Sequence, residues 1–220
     1  MKVFCVIPAY NEAQSIVAVI NRVKPIVDEL VVVDDHSSDR TLELAKSALI
    51  PVLHHIVNRG QGAALQTGND YALLNGADII VHFDADGQFL AEEIKDMVKP
   101  ILDNQADIVF GSRFLGKKSN LPRFKKNVIM PLAKMFNKIF FGINLSDPQN
   151  GFRAMSAKVA QEIKIESDGM AHCNEILIAA HRNKYRIQEV PITVIYHEFG
   201  QKFSGGIRII KDLIYKKLTK

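Results

Sequence analysis

The sequence predicts an α/β fold in which helices cover both faces of a mostly parallel, doubly wound sheet. Short β-branched runs alternate along the chain with segments of helical spacing, a pattern typical of parallel strands joined by right-handed crossovers. The runs are apolar throughout, as expected of strands buried on both faces. With 220 residues, of which 47% are hydrophobic, the chain is long enough to bury the core of a single domain.

Five strands and four intervening helices are predicted in the first half of the chain. The strands are expected at 3–7, 30–34, 52–56, 78–83 and 107–111, and the helices at 12–24, 39–48, 61–75 and 91–103. In the second half, the segment 147–153 is predicted to be a turn followed by a short strand, and 171–183 a helix.

Ligands of such a sheet bind at the carboxyl ends of its strands, so unusual residues are expected just after each strand. Five polar or glycine-rich turns occupy those places, at residues 8–12, 34–39, 58–62, 84–88 and 111–113. The turns are therefore predicted to converge on one rim of the sheet. Several of them carry carboxylates, and a cluster of carboxylates needs a counter-charge.

Asp84 and Asp86 follow the fourth predicted strand and flank Ala85. In an extended segment, side chains two residues apart share a face, so both carboxylates could bind one divalent cation. Mg²⁺ or Mn²⁺ would keep water and substrate phosphates as further ligands, and a nucleoside diphosphate would complete the shell. The alternative is that the two aspartates cap the helix beginning near Ala91 or form a polar turn.

Two other turns are predicted to contact a nucleotide. Helix capping explains the residues at 38–39, but not the adjacent Asp34 and Asp35, whose short carboxylates suit the hydroxyls or ring nitrogen of a nucleoside. Gly60 and Gly62 would let the backbone approach a ligand at a helix N-terminus, although plain helix initiation explains them equally well. Neither a Walker A loop nor the Rossmann glycine fingerprint occurs.

The net charge of +4 conceals two halves of opposite sign. Residues 1–116 contain 9 basic and 16 acidic residues, a charge of −7, whereas residues 117–220 contain 19 basic and 8 acidic residues, a charge of +11. Basic residues accompany apolar series of helical spacing at 128–140 and 207–218. These segments are predicted to contact an anionic membrane surface; alternatively, they pack on the sheet with their lysines in water.

Composition excludes several other classes of protein. The contents of Gly, Pro and charged residues argue against disorder and coiled coil. Cys5 and Cys173 lie far apart and are expected to be buried, reduced thiols. The apolar run at 3–7 is too short for a signal peptide, and no stretch reaches the roughly 18–20 apolar residues of a membrane-spanning helix. The expected location is cytoplasmic, peripheral on the cytoplasmic face of a membrane.

Six ordered motifs resemble those of the family 2 glycosyltransferases of the GT-A fold. The last two narrow the resemblance to the branch of dolichyl- and polyprenyl-phosphate mannosyl- and glucosyltransferases. The motifs are Pro8-Ala9-Tyr10-Asn11-Glu12, Val33-Asp34-Asp35 with Ser37-Ser38-Asp39-Arg40-Thr41, Asn58-Arg59-Gly60-Gln61-Gly62, Asp84-Ala85-Asp86-Gly87-Gln88, Gly111-Ser112-Arg113 and Asp147-Pro148-Gln149-Asn150-Gly151-Phe152-Arg153.

The resemblance implies a nucleotide-sugar site with a divalent metal. In the family, the first motif contacts the nucleobase and ribose, and a strand-end aspartate, Asp35 here, holds the base. The Asp-Ala-Asp motif surrounds Mg²⁺ or Mn²⁺ on the diphosphate. The residues that this implies for the nucleotide sugar are Pro8, Ala9, Tyr10, Glu12, Asp35, Gly60, Asp84, Ala85 and Asp86; those for the metal are Asp84, Asp86 and Gln88.

The later motifs are implied to serve the transfer itself. Arg113 corresponds to a residue that reaches a phosphate or the acceptor, although a surface salt bridge is an alternative. Asp147 and Gln149 are implied to lie beside the donor sugar and acceptor, with Asp147 as general base if the acceptor is a hydroxyl. Relatives often cover the diphosphate with a flexible segment; its counterpart at 196–206 has a different arrangement and offers Lys202 as the contact.

The leading hypothesis is an inverting, metal-dependent transfer of a hexose from a nucleoside-diphosphate sugar, of GDP-mannose or UDP-glucose type, to polyprenyl phosphate. A lipid phosphate is already an anionic nucleophile and needs no general base. Within one domain, 1–220, residues 1–116 would bind nucleotide and metal, and residues 117–220 would face the acceptor and membrane.

Three alternatives remain open from the sequence. The protein could transfer sugar to a saccharide hydroxyl, or be a non-catalytic nucleotide-sugar-binding subunit of a membrane complex. A nucleotidyltransferase on a similar sheet is disfavoured because the glycine-rich loop with a following arginine is missing near the N-terminus. A membrane protein could be a further partner, and no nucleic acid partner is expected.

Overall fold

The structure is a computed structural model that describes residues 1–115 and 145–195. Strands and helices alternate within these ranges as the sequence predicts. The strands are β1 (Val3–Ala9), β2 (Glu29–Asp34), β3 (Val52–His54), β4 (Ile79–His82), β5 (Ile108–Ser112), β6 (Arg153–Ser156) and β7 (Ile187–Pro191). The helices are α1 (Ile16–Val23), α2 (Thr41–Ser47), α3 (Gln61–Leu74), α4 (Ile94–Leu102), α5 (Ala157–Glu162) and α6 (His172–Arg182).

These strands form one sheet in the order β3-β2-β1-β4-β6-β5-β7. The pairs β1–β2, β1–β4, β2–β3 and β5–β7 are parallel, and β6 runs antiparallel between β4 and β5. Ser146, just before β6, lies against Ser112 at the end of β5. The chain thus re-enters the sheet beside the carboxyl end of β5, and for this reason β6 runs antiparallel to β5. The predicted mostly parallel sheet is confirmed.

Two hydrophobic cores lie on opposite faces of the sheet. Alternate residues of β1 contribute to different cores. Cys5 and Ile7 belong to the core that contains residues of α1, α2 and α4. Phe4 and Val6 belong to the core that contains residues of α3, α5 and α6. Side chains alternate across a strand, so both faces of β1 must be apolar. The continuous apolar run at 3–7 follows directly from this double coverage.

Several boundaries differ from the predicted ones. β1 continues through Pro8 to Ala9, two residues beyond the predicted end. Proline is tolerated here because β4 pairs with β1 only as far as Val6, so beyond that point β1 has a neighbouring strand on one side alone. α1 begins at Ile16 rather than at residue 12, after Asn11 adopts a left-handed conformation with φ of 57°. A short 3₁₀ turn, Ala91–Glu93, precedes α4 in the segment predicted to be one helix.

The sequence-predicted basic segments at 128–140 and 207–218, and the contact residue Lys202, lie outside the described residues. The division of the chain into a nucleotide half and an acceptor half therefore stays a prediction. Among the helices that the structure describes, none combines the length and apolar character needed to cross a bilayer.

Candidate functional site

A cavity of about 680 Å³ opens at the carboxyl ends of β1, β2, β4 and β5. This is the rim on which the sequence predicts the polar turns to converge. Twelve of the fourteen predicted site residues line it: Pro8, Ala9, Tyr10, Glu12, Asp35, Gly60, Asp84, Ala85, Asp86, Gln88, Arg113 and Gln149. Asp147 is buried behind the wall, and Lys202 lies outside the described residues.

Hydrogen bonds between loops shape the β1–β2 side of the cavity. Asn11 accepts a hydrogen bond from the Ser38 backbone N–H through its Oδ1 at 2.8 Å, and its own N–H donates to Ser37 Oγ at 3.0 Å. The Glu12 N–H donates to Thr41 Oγ1 at 2.7 Å. The first two motifs are therefore bound to each other, which fixes the turn that follows β1 against the start of α2.

Asp35 is held with its carboxylate at the cavity by three neighbours. The backbone N–H groups of Gly60 and Arg59 donate to Oδ2 at 2.6 Å and to Oδ1 at 2.9 Å. His55 Nδ1 lies 2.7 Å from Oδ1, and its Nε2 lies 2.9 Å from Thr67 Oγ1. The sequence did not reveal His55, because a single histidine after a short strand carries no local signal.

The adjacent Asp34 has a different environment. The prediction paired it with Asp35 as a nucleoside ligand, but only Asp35 lines the cavity. The Asp34 side chain is fully buried, accepts a hydrogen bond from the Ser37 N–H and lies 2.8 Å from His54 Nδ1. Because successive side chains of a strand point to opposite faces, the two aspartates could not both reach one ligand.

Glycine is required at positions 60 and 62 because the protein's own backbone packs against both residues. A Cβ at Gly62 would overlap the carbonyl oxygen of Ser167, and one at Gly60 would overlap that of Asp168. The Gly62 N–H donates to the Asp168 carbonyl at 2.8 Å. The close approach that was expected from a ligand at this helix N-terminus is thus made at Gly62 by the loop before α6, while Gly60 also lines the cavity.

Asp84 and Asp86 lie together beneath the cavity, as their spacing predicts. Gln61 Nε2 donates to Asp84 Oδ1 at 2.8 Å, and the Gln88 backbone N–H donates to Asp86 Oδ1 at 2.9 Å. Burial, reinforced by the charge of Asp86, raises the pKa of Asp84 to about 7. Burial is also the main cause of a raised pKa at Glu12, to which Asp86 adds. The cavity therefore concentrates negative charge that a cation would relieve.

These residues fit a divalent cation that shares its shell with a substrate. Gly151 leaves the space beside Asp84 open, since a Cβ there would lie only 3.0 Å from Asp84 Cγ. Within residues 1–115 and 145–195, no group of three or more His, Cys, Asp or Glu side chains is arranged to enclose a metal. Two carboxylates at an open cavity suit Mg²⁺ or Mn²⁺, which keep water and phosphate oxygens as further ligands.

Arg113 projects from the end of β5 and forms a bidentate ion pair with Asp147. Nε and Nη2 each lie 2.6 Å from a carboxylate oxygen. Asp147 is fully buried, whereas 22% of the Arg113 side chain is exposed. Sequence reasoning placed Asp147 beside the substrates as a possible base; in the structure it lies behind Arg113 and orients it. The salt bridge given as the alternative role of Arg113 is present in the structure, although its partner is buried rather than at the surface.

A buried basic group near Asp84 was not found from the sequence. Arg153, on β6, is completely buried, and its Nη2 donates to the Asn150 carbonyl at 2.9 Å and to Cys173 Sγ at 2.9 Å. Its charge opposes the rise in the pKa of Asp84. Burial, followed by the charge of Arg153, lowers the pKa of His172 to about 4, so this histidine is neutral.

Both cysteines are buried free thiols, as predicted.

Comparison with known proteins agrees with this geometry. The model of "Glycosyl transferase family 2" matches residues 4–164. A UDP-N-acetylglucosamine–dolichyl-phosphate N-acetylglucosaminyltransferase of Methanococcus voltae is 32% identical over 98% of this chain and 94% of its own length. An undecaprenyl-phosphate mannosyltransferase of Micrococcus luteus is 34% identical over 94% of this chain and 89% of its own length.

A solved structure confirms the GT-A fold. The crystal structure of glucosyl-3-phosphoglycerate synthase from Mycobacterium tuberculosis, in complex with Mn²⁺, UDP and phosphoglyceric acid, superposes with a TM-score of 0.77. It covers 99% of this chain and 78% of the synthase at 20% identity, which is a similarity of fold. Together with the family match and the two sequence relatives, it shows that this chain belongs to glycosyl transferase family 2 and is a glycosyltransferase.

Proposed function

We propose that the protein transfers a hexose, with inversion and with a divalent cation, from a nucleoside-diphosphate sugar to polyprenyl phosphate. The observation that carries the proposal is the single cavity that joins Asp35, the Asp84–Asp86 pair and Arg113. These groups match the three parts of such a reaction: a nucleoside, a diphosphate with its cation, and an anionic acceptor.

The relatives support the choice of substrates. The names of the Methanococcus voltae and Micrococcus luteus enzymes state dolichyl phosphate and undecaprenyl phosphate, respectively, as the lipid. The first of these names also states a UDP sugar as the donor. Each relative matches more than nine-tenths of this chain.

The donor would lie across the cavity from Asp35 to Asp86. Asp35 accepts hydrogen bonds, so it suits an N–H group of the base, and the turn at Pro8–Tyr10 closes the same end of the cavity. Asp84 and Asp86 would hold Mg²⁺ or Mn²⁺ against the diphosphate. When bound, the cation supplies Lewis-acid stabilisation of the charge that develops on the leaving diphosphate.

The role of Asp147 favours a phosphate over a hydroxyl acceptor. A hydroxyl needs a general base within hydrogen-bond reach, and Asp147 was the candidate for that role. Its two oxygens are engaged by Arg113, and its side chain is fully buried. Arg113 instead presents a cation at the cavity, and a planar guanidinium suits a phosphate. A phosphate oxygen attacks without prior loss of a proton, and attack opposite the leaving diphosphate inverts the anomeric carbon.

The acceptor lipid places the reaction at a membrane surface. The basic segments at 128–140 and 207–218 would bind anionic headgroups, each lysine near the surface contributing about 1 kcal/mol. The protein is accordingly proposed to be peripheral, on the cytoplasmic face, where nucleotide sugars are available.

Transfer of radiolabelled sugar into butanol tests the proposal. Purified protein with Mn²⁺ is incubated with individual GDP and UDP sugars and with either polyprenyl phosphate or polyprenol. We expect wild-type protein to form a butanol-soluble product with polyprenyl phosphate but not with polyprenol. The variant D86A should form no such product with either acceptor. The control D103A changes an exposed aspartate that pairs with Lys99 and should retain activity.

Each contrary result points to a different alternative. Labelling of polyprenol, or of a saccharide supplied as acceptor in a parallel incubation, without labelling of the lipid phosphate would refute the phosphate acceptor. Nucleotide binding without transfer from any donor would favour the non-catalytic binding subunit.

A further inference from the structure

Glu189, on β7, binds the loop that leads into β6. Its Oε1 accepts hydrogen bonds from the Ser146 backbone N–H at 2.8 Å, from Ser146 Oγ at 2.8 Å and from the Asp147 backbone N–H at 3.1 Å. Its Oε2 lies 2.9 Å from the Ser146 nitrogen. Because two of the donors are backbone amides, the carboxylate fixes the main chain of this loop as well as one side chain.

Asp147 continues the connection to the cavity. Its carboxylate holds the Arg113 side chain through two bonds of 2.6 Å, and the Arg113 backbone N–H donates to Oδ2 at 3.2 Å. A bidentate pair of this kind restricts both the position and the plane of the guanidinium. The direction of the Arg113 side chain therefore depends on where the backbone places Asp147.

The sheet keeps these elements in register. Glu189 is opposite Phe110 in the parallel pair of β7 and β5. β5 ends at Ser112, the residue directly before Arg113. Ser112, the last residue of β5, also contacts Ser146 through the hydroxyl groups of both residues. Loss of the Glu189 carboxylate would leave two amides without their acceptor, and unpaired amides are costly. The loop would move to satisfy them, and Arg113 would move with it.

We propose that Glu189 is a positioning residue for the acceptor: it fixes residues 146–147 so that Asp147 directs Arg113 at the acceptor phosphate. This proposal rests on the proposed function. The donor side of the cavity has separate supports, since Asp35 is held by Gly60 and its neighbours, and Asp84 by Gln61. Changes at Glu189 should therefore weaken use of the acceptor and spare binding of the nucleotide.

The variants E189Q and E189A test this separation. Glutamine keeps one acceptor oxygen but turns an NH₂ group toward the Ser146 amide, so the loop is held less well. We expect the KM for a short-chain isoprenyl phosphate to rise about tenfold in E189Q, and more in E189A. Affinity for a nucleoside diphosphate with Mn²⁺ should stay within about twofold of wild type. The control Q188A changes an exposed residue of the same strand and should leave both quantities unchanged.

The outcomes separate this inference from the function on which it rests. An unchanged acceptor KM in E189Q, in a protein whose wild type transfers sugar to the phosphate, overturns the inference alone. A parallel loss of nucleotide affinity and melting temperature in E189Q also overturns it, because Glu189 would then support the whole fold. Absence of transfer to the phosphate by the wild type overturns the proposed function and the inference with it.

Discussion

Replacement of Gly151 by alanine should displace Asp84 and weaken the use of the metal. A Cβ at position 151 would lie 3.0 Å from both Cγ and Oδ1 of Asp84 and nearer still to Oδ2. Ordinary van der Waals contact begins at 3.4 Å, so Cγ must move by about 0.4 Å and Oδ2 by about 1 Å. Asp84 is short, half-buried and bound to Gln61, which leaves it little freedom to move without losing that bond.

The expected loss follows from the size of this movement. A misplacement of 1 Å can cost about 100-fold in rate, so movements of about 0.4 Å at Cγ and about 1 Å at Oδ2 predict a loss of about 10- to 100-fold in kcat/KM. The loss should appear as weaker binding of Mn²⁺ in the presence of a nucleoside diphosphate, measured by titration calorimetry. The matched control is G169A, because a Cβ at Gly169 meets nothing within 4 Å.

A G151A variant with wild-type affinity for Mn²⁺ and wild-type kcat/KM would refute the reasoning. It would mean that Asp84 does not bind the cation or that the site adapts without cost. A large fall in melting temperature would instead show that the clash is relieved by distortion of the fold.

Three further predictions concern charge and packing. Burial raises the folded-state pKa of Asp84 to about 7 from 3.8, so its contribution to the stability of the metal-free protein is complete below pH 3.8 and is lost as pH rises through 7. Urea unfolding should therefore show that the stability of D84N relative to wild type increases across this pH window. A stability difference that does not change with pH would contradict the raised pKa. G62A, whose Cβ would overlap the Ser167 carbonyl, should lower the free energy of unfolding by about 1–3 kcal/mol in denaturant titrations, and an unchanged midpoint would argue against the close packing. R113A removes the counter-charge of the buried Asp147 carboxylate, which keeps only hydrogen bonds such as that from Asn150 Nδ2, and should cost about 3 kcal/mol in stability; the double variant R113M/D147N should recover part of this loss.

Local patterns in the sequence were sufficient for the layout of the first half of the chain. The apolar runs located β1 to β5, because strands buried on both faces must be apolar on both. Their ends located the cavity, since the carboxyl ends of parallel strands meet on one rim. The spacing of Asp84 and Asp86 predicted that both would lie in this cavity, and they do.

Contacts between distant segments could not be obtained from such patterns. Arg113 and Asp147 are 34 positions apart, and Ser146 and Glu189 are 43 apart; their pairing arises only when β6 and β7 enter the sheet on either side of β5. For Gly62 the sequence left a ligand and plain helix initiation open, because it does not show that the Ser167 carbonyl fills the space beside this residue.

The sequence by itself thus determined which residues stand at the strand ends and which chemistry they bring. The tertiary structure alone decided their tasks: Asp35 at the cavity and Asp34 away from it, Arg113 facing the cavity and Asp147 behind it. The physical reason is that periodicity reports which side of a strand or helix is buried, whereas the partner of a buried polar group is set by the order and direction in which strands pair.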